Sequence, residues 1–254
     1  MRPASLIAWA RAHSVLLALF IIVFMAASLA RLPAALVLPY TAQAGINIRG
    51  ASGTIWDGRF QAIEFRNMRF QSGAYSFTPL GLLTDGTVGA FSLSGGMARV
   101  EGRLYGLDGA RIKLQALSAE VNYPLQLSQT DFNPRIGISA PELALTYDGQ
   151  CVTGDIAVTM QVNIAALALI VPQGTRWEGS ANCERGRIAF LLNPVDNGLV
   201  AVIRGDINGR NYDAEIDLTL DDRLTESRNV RAALRQAGFK KQNGQWRTKL
   251  RGLL

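Results

Sequence analysis

The chain has 254 residues, of which 48% are hydrophobic and 18% are charged, so its composition is that of a folded protein with one large or two small domains. Its only histidine, His13, lies beside an apolar N-terminal run, which nearly excludes a histidine metal site or a Ser-His-Asp triad. The net charge of +6 is uneven, because residues 227–254 carry eight basic residues and no acidic one. This distribution argues against nucleic acid as a partner.

An uncharged apolar run, residues 14–30, follows Arg2 and Arg11. As a helix, this run spans about 25 Å, at the short end of what crosses a hydrocarbon core of about 30 Å. The preceding arginines predict a cytoplasmic N-terminus and export of the rest of the chain. We therefore expect residues 1–13 in the cytoplasm and residues 14–38 as a transmembrane anchor with its exit segment. A cleaved signal peptide is the alternative, because Ser28-Leu29-Ala30 offers small residues for cleavage.

The proline-bracketed stretch from Leu32 to Tyr40 comes next. It is consistent with a short helix at the membrane surface and equally with a strand that enters the first sheet. The sequence leaves both alternatives open.

From Ile46 onward, apolar and polar residues alternate with a period of two, which predicts β-strands. The phase of this alternation slips by one at Ala116 and Leu117, as a β-bulge would produce. Asx-Gly dipeptides, the strongest short-range signals of a hairpin turn, punctuate the same region. They begin at Asp57, Asp85, Asp108, Asp148, Asn197, Asn208 and Asn243. Many short strands joined by tight turns predict antiparallel β-structure, as a curved sheet or a sandwich.

Two segments depart from the simple alternation. The wholly apolar run 165–171 fits a buried strand or a short helix packed on the sheet. Near the C-terminus, Ser227 is positioned to cap a short helix whose apolar face would be Val230, Ala233, Leu234 and Ala237, and Gly238 would end it. A final hairpin then turns at Asn243-Gly244 and carries Trp246 and Leu250.

One short string occurs twice, at residues 53–58 (Gly-Thr-Ile-Trp-Asp-Gly) and 174–179 (Gly-Thr-Arg-Trp-Glu-Gly). Thr and Trp favour a pleated, half-buried surface, and the flanking glycines allow positive φ or close backbone approach. We expect two hairpins anchored by Trp56 and Trp177. For Trp56 we favour a role as a core residue over a role as an interaction site. If the echo reflects a true repeat, the exported part consists of two related β subdomains, residues 39–132 and 133–254.

Cys151 and Cys183 are the only cysteines, and both lie on the exported side of the predicted anchor. In an oxidising compartment such a pair usually forms a disulfide, so we predict a bridge between them. The spacing of a redox motif is absent, and a two-cysteine metal site would lack partner ligands. We find no phosphate-binding loop and no pairing of acids with a nucleophile, so we expect no enzyme, no catalytic residue, no cofactor and no metal.

The order of these features resembles a known family. A basic N-terminus, one membrane span and a Leu-Pro-Ala-rich exit precede residues 53–59, Gly-Thr-Ile-Trp-Asp-Gly-Arg, and residues 231–238 precede Gly244-Gln245-Trp246 and Gly252. This arrangement is similar to the N component of the bacterial type II secretion system, the general secretion pathway protein N family. The resemblance implies a single-pass inner-membrane protein with a periplasmic β-rich domain. It brings no catalytic or binding residues with it.

Two functions follow as hypotheses. In the first, the protein assembles or scaffolds the secretion apparatus and engages other subunits through sheet edges, the Trp56 and Trp177 hairpins or the basic C-terminal segment. In the second, a groove-like sheet carries or tethers a lipid or another apolar ligand in the periplasm. An apolar lumen would favour the carrier, whereas a filled core with an exposed strand edge would favour the scaffold. The sequence does not indicate the oligomeric state.

Overall fold

The structure, a computed structural model, describes residues 3–39, 46–65, 68–78, 81, 87–108, 111–122, 124–127, 130–146, 149–163, 170–171, 174–195, 200–209 and 211–253. Helix α1 (Pro3–Ala30) comes first, and a short 3-10 helix (Ala34–Val37) follows it. Pro33 also forms an isolated β-bridge with Thr54, so the exit segment combines helical and extended backbone. Within the described residues, no helix has both the length and the apolar character that a membrane crossing demands, and the transmembrane anchor stays a prediction.

The rest of the described chain is mainly strand. The strands are β1 (Ile46–Arg49), β2 (Ser52–Gly53), β3 (Asp57–Phe60), β4 (Ala62–Phe65), β5 (Met68–Phe70), β6 (Ser72–Phe77), β7 (Gly89–Ser94), β8 (Ala98–Asp108), β9 (Arg111–Asn122), β10 (Leu125–Leu127), β11 (Thr130–Phe132), β12 (Arg135–Thr146), β13 (Cys151–Val162), β14 (Thr175–Glu184), β15 (Arg187–Pro194), β16 (Val200–Asn208), β17 (Asn211–Thr219), β18 (Lys240–Gln242) and β19 (Gln245–Leu253). Two helices, α2 (Asp222–Glu226) and α3 (Arg228–Gln236), lie between β17 and β18.

Fourteen strands form one antiparallel sheet in the order β18-β19-β17-β16-β15-β14-β13-β12-β9-β8-β7-β6-β3-β2. The order follows the chain almost throughout, because tight turns join strands that are neighbours in the sequence. Two small sheets lie outside this main sheet: β1-β4-β5, formed by the strand that precedes β2 and by the segment between β3 and β6, and β10-β11, between β9 and β12. The predicted mainly β, antiparallel class is confirmed, and the main sheet runs across the predicted subdomain boundary at residues 132 and 133.

One face of the main sheet is uncharged and mostly apolar along a row that crosses twelve strands, from β19 to β3. Cross-strand partners form a continuous row without a charged residue, because residues on one face recur at every second position. The row runs through Thr248, Ile216, Ile203, Leu192, Gly179, Val158, Ile138, Ala119, Val100, Leu93, Gly73 and Phe60. The neighbouring row on the opposite face is polar or small along most of its length. It runs through Lys249, Glu215, Arg204, Leu191, Ser180, Ala157, Ser139, Ser118, Glu101, Ser92, Ala74, Arg59 and Ser52.

Helix α3 covers the C-terminal end of the apolar face. Val230 and Leu234 are buried on the helix and join a core cluster with Trp177, Leu218 and Trp246. The helix ends as predicted at a glycine in the left-handed region, Gly238 (φ +82°), and the amide of Phe239 donates to the carbonyl oxygen of Leu234, as in a Schellman motif. Ser227 occupies the N-cap position, but its side chain makes no capping hydrogen bond.

The other end of the apolar face is covered by the small sheet β1-β4-β5. Ile63 and Phe70 from this sheet pack with Ala98 of β8 in a separate cluster. Between the two covered ends, Val100, Ala119, Ile138 and Val158 remain half-buried. Val100, Ile138 and Val158 pack against buried clusters, of which one, around Ala140 and Ile156, lies in the middle of the face.

The bulge predicted from the phase slip is confirmed. Ala116 has a φ of +48°, and the pairing of β9 with β8 and β12 skips at this residue. Asn243-Gly244 forms the predicted turn, since both residues have positive φ (+48° and +83°). The prediction of a turn at Asp57-Gly58 is wrong, because both residues belong to β3; the hairpin turns at residues 54–57 instead.

Several predicted features fall on residues that the structure leaves undescribed. Four of the Asx-Gly dipeptides, at residues 85–86, 108–109, 148–149 and 197–198, lie at least partly outside the described residues. Most of the apolar run 165–171 lies outside them as well. Its last two residues, Ile170 and Val171, are buried in the C-terminal core cluster.

Candidate functional site

The N-terminal helix is joined to the main sheet at Trp56. The indole Nε1 of Trp56 donates a hydrogen bond to the carbonyl oxygen of Leu29, 2.9 Å away, in the last turn of α1. One residue earlier, the amide of Ile55 donates to the carbonyl oxygen of Leu32 at 2.9 Å. The carbonyl groups that end a helix lack intrahelical partners; that of Leu29 accepts from the Trp56 indole and, at 3.4 Å, from the amide of Leu32. These contacts define a helix–sheet junction at residues 29–33 and 54–56.

The loop that carries Trp56 is shaped by its own side chains. Thr54 Oγ1 accepts hydrogen bonds from the amides of Trp56 (3.3 Å) and Asp57 (3.1 Å). The hydroxyl of Tyr75 donates to the Thr54 carbonyl oxygen at 2.7 Å. Burial, and to a smaller extent the nearby carboxylate of Asp57, raise the pKa of Tyr75. Tyr75 also stacks on Phe60, with ring centroids 5.1 Å apart, so the junction rests on an aromatic patch of β3 and β6.

The three tryptophans singled out in the sequence have different surroundings. Trp177 is 4% exposed and Trp246 is 3% exposed, and both belong to the C-terminal core cluster. Trp56 is only half-buried, against the expectation that it is a core residue first. The two Gly-Thr-x-Trp strings also differ in structure, since Trp56 lies in a loop and Trp177 lies inside β14. Trp177 is nevertheless a buried anchor of a strand that pairs with its neighbours β13 and β15, as expected of the second string.

A disulfide joins Cys151 and Cys183, as predicted, with the two Cα atoms 5.2 Å apart. It links the beginning of β13 to the end of β14, two strands that pair with each other. Cys151 is buried with Ala140, Ile156 and Ala181 in a third core cluster. The bridge thus fixes the middle of the main sheet at its apolar face.

Charged residues form a ladder on the polar face near the C-terminal edge. Asp213, Glu215 and Asp217 of β17 stand directly opposite Arg251, Lys249 and Arg247 of β19. The cross-strand register therefore places three acidic residues against three basic ones, an arrangement that stabilises neighbouring strands. The sequence shows charged residues at alternate positions within each of the two segments. It does not show that the two segments pair, because two helices lie between them in the chain.

Arg247 and Asp217 form the least exposed part of this ladder. Nε of Arg247 lies 2.5 Å from the Asp217 carboxylate and 2.9 Å from that of Glu215, and Arg204 of β16 contacts both acids. The hydrogen bond to Asp217 raises the pKa of Arg247, an effect that partial burial opposes. Arg251 instead makes an exposed pair with Asp213 at 2.8 Å. For Lys249, no ion pair is found among the described residues.

The described surface has shallow depressions whose lining residues are mostly polar. One, of about 450 Å³, lies over β3, β6 and β7 and includes Arg59, Gln71 and Ser94. The other, of about 560 Å³, lies beside the charged ladder and includes Arg187, Asp206 and Arg251. In the part of the chain that the structure describes, no three His, Cys, Asp or Glu side chains come together as metal ligands would.

The described chain is thus an extended antiparallel β-sheet protein with one helix tied to its first edge and a charged ladder near its last edge. Residues 44–249 match the family model of type II secretion system protein N. The chain belongs to this family and is a component of the type II secretion apparatus. Comparisons with curated proteins and with solved structures find no significant match.

Proposed function

We propose that this protein is an assembly component of the type II secretion apparatus that holds a long periplasmic sheet at the inner membrane. The observation that carries the proposal is the continuity of the main sheet from the helix–sheet junction to the charged ladder. With about 4.8 Å between neighbouring strands, fourteen strands extend over about 60 Å. A sheet of this length can present a contact surface well away from its attachment point.

The inner-membrane location is part of the same proposal. Support comes from helix α1, whose large apolar side chains between Leu16 and Leu29 are exposed. Apolar side chains that stay exposed along a helix favour a lipid or protein environment around it. The arginines that precede the run favour a cytoplasmic N-terminus and a periplasmic sheet.

Loss of the protein in its own cells tests the proposal. We expect deletion of the gene to reduce secretion of type II substrates, and the intact gene to restore it. Photocrosslinkers placed at Ser52 and Arg59, near Trp56, should in the same cells join the protein to other subunits of the apparatus. Normal secretion without crosslinks to any subunit would contradict the proposal.

A carrier of apolar ligands is the second candidate, and one observation favours it. Four apolar side chains in the central part of the apolar face, Val100, Ala119, Ile138 and Val158, are only half-buried, although a buried cluster lies beside them. Against it, the two depressions described above are shallow and are lined mostly by polar residues, so neither is an enclosed apolar lumen. Native mass spectrometry of the purified chain after detergent removal decides between the two, since a carrier retains bound lipid and an assembly component does not.

A further inference from the structure

Within the described part of the chain, the second half of strand β19 has a partner strand on one side only. On one side it pairs with β17 from Trp246 to Leu253, whereas on the other side it pairs with β18 only from Gln245 to Arg247. Among the described residues, no backbone hydrogen bond reaches the outer side of residues 249–253. We call residues 249–253 of β19 the open edge.

The turn between β18 and β19 determines which backbone groups face outward. In a two-residue turn at Asn243-Gly244, the carbonyl oxygen of Gln242 accepts from the amide of Gln245, so Gln245 directs its backbone groups toward β18. Backbone groups alternate in direction along an antiparallel strand. Lys249 and Arg251 therefore point their amide and carbonyl groups to the open side, while Leu250 and Gly252 point theirs toward β17.

The turn between β16 and β17 gives the same register independently. Asn208 pairs with Asn211 across a two-residue turn, so Asn211, Asp213 and Glu215 direct their backbone groups toward β16. The intervening residues of β17, Ala214 and Ile216, then face β19. They stand opposite Leu250 and Thr248, the residues of β19 that point inward.

Side chains at the open edge carry a specific charge pattern. Lys249 and Arg251 lie on the polar face, and both are exposed. Leu250, on the apolar face, packs against the C-terminal core cluster. A further strand would continue the alternating ladder if it placed acidic residues beside Lys249 and Arg251 and an apolar residue beside Leu250.

Pairing of two copies through this edge is disfavoured by the same side chains. If β19 of one molecule paired with β19 of another, Lys249 and Arg251 would meet basic residues of the second copy. Like charges directly opposite each other destabilise a strand pair, and lysines at sheet edges discourage association of like edges. Pairing of two copies of the chain through their open edges is therefore unfavourable.

We propose that the open edge binds an extended segment of another protein by strand addition, and that this segment alternates acidic and apolar residues. Main-chain hydrogen bonds to Lys249 and Arg251 supply affinity, while the alternating side chains supply selectivity. The inference rests on the proposed assembly function, because it names the kind of partner that an assembly component would engage at this edge.

Binding of designed peptides to the purified full-length chain tests the inference. The probe is a labelled peptide of about nine residues in which glutamate alternates with valine or threonine. Its matched control carries lysine in place of glutamate. We expect the glutamate peptide to bind about tenfold more tightly than the lysine peptide, and its affinity to fall with rising salt. Equal affinities for the two peptides would overturn the proposed selectivity.

Two proline variants separate strand addition from simple charge attraction. Lys249→Pro removes an outward amide of the open edge, whereas Lys241→Pro removes a corresponding outward amide from β18. Both delete one lysine, and neither removes a hydrogen bond to the neighbouring strand, so both should fold. We expect Lys249→Pro to weaken glutamate-peptide binding at least tenfold and Lys241→Pro to change it by less than about threefold. Equal effects would refute strand addition.

Amide hydrogen exchange in the wild-type chain gives a readout that does not depend on any variant. Without peptide, the amides of Lys249 and Arg251 should exchange faster than those of Leu250 and Gly252. Addition of the glutamate peptide should slow Lys249 and Arg251 selectively. Protection of those two amides in the peptide-free chain, or no change when peptide is added, would contradict the inference.

Secretion assays then distinguish failure of the inference from failure of the proposed function. If gene deletion impairs secretion but Lys249→Pro secretes as well as Lys241→Pro, the open edge is not used and the assembly function stands. If deletion leaves secretion normal, the assembly function itself fails. The inference is supported when deletion and Lys249→Pro impair secretion while Lys241→Pro does not.

Discussion

The indole nitrogen of Trp56 and the carbonyl oxygen of Leu29, separated by 27 residues in the chain, are 2.9 Å apart. This hydrogen bond closes the helix–sheet junction by joining the last turn of α1 to a half-buried loop of the sheet. The donor is a side chain from another element of the fold. The orientation of helix α1 relative to the sheet therefore depends on the Trp56 side chain as well as on the backbone contact at Leu32.

Trp56→Phe keeps an aromatic ring but removes the donor at this junction. Loss of one hydrogen bond costs about 1 kcal/mol, so local opening should become about fivefold more frequent. We expect faster trypsin cleavage at Arg31, which lies between the helix and the loop. Cleavage at Arg185, in the turn between β14 and β15, serves as the internal reference and should not change. An unchanged ratio of the two rates would contradict the role given to Trp56.

Tyr75→Phe removes the hydroxyl that donates to Thr54. At neutral pH we expect a loss of about 1 kcal/mol in the free energy of unfolding. The pKa of Tyr75 is raised in the folded protein, so the folded state binds more protons than the unfolded state above about pH 10. Wild-type stability should therefore fall as pH rises from about 10 through the folded pKa, and the difference between wild type and variant should shrink. Urea unfolding at several pH values measures this difference; a constant difference would refute the linkage.

Arg247→Met and Arg251→Met form a matched pair on the same face of β19. The Arg247 side chain is 33% exposed and contacts two acids, whereas that of Arg251 is 69% exposed and contacts one. We expect Arg247→Met to lower the unfolding temperature more than Arg251→Met, because it leaves the nearly buried Asp217 with Arg204 alone, whereas Asp213 is exposed. Thermal unfolding of both variants compares them. Equal decreases in the unfolding temperature of the two variants would show that burial does not determine how much each ion pair stabilises the sheet.

Replacement of both Cys151 and Cys183 by alanine removes the covalent link between β13 and β14 in the middle of the main sheet. The two residues are 32 positions apart, and a loop of that length corresponds to about 3–4 kcal/mol of stabilisation in the chain-entropy model. We expect a lower unfolding temperature for the double variant. A reductant should lower that of the wild type to a similar value and leave the variant unchanged. Thiol labelling of the unreduced wild-type chain should give no signal; labelling at either cysteine would contradict the bridge.

The strands were predictable because their signal is local. Alternation with a period of two reports directly which side of the sheet each residue takes, and the slip at Ala116 even located the bulge. The turn near Asp57 was misplaced, because the Thr54 side chain binds the amides of Trp56 and Asp57 and closes the loop one step earlier than the Asp-Gly signal suggests. At this position the side-chain hydrogen bonds of Thr54 determined where the chain turns, and the turn propensity of Asp-Gly did not.

Long-range relationships were not predictable from the same signals. The contact of Trp56 with Leu29 forms only if the end of helix α1 lies beside the first hairpin. Nothing in the residues around Trp56 indicates that Leu29 is the hydrogen-bond acceptor. The charged ladder likewise depends on β19 returning to pair with β17 after the two helices. The open edge follows from this return, since β18 is too short to cover the strand that it flanks.

The order of strands in the main sheet has a consequence for how it is built. Because nearly every strand pairs with a close neighbour in the sequence, its contact order is low and each pairing closes only a short loop. The sheet can therefore grow one hairpin at a time from the N-terminal side as the chain emerges. Cys151 and Cys183 lie on adjacent strands, so their bond can form as soon as β14 has joined β13, before the charged C-terminal third has been added.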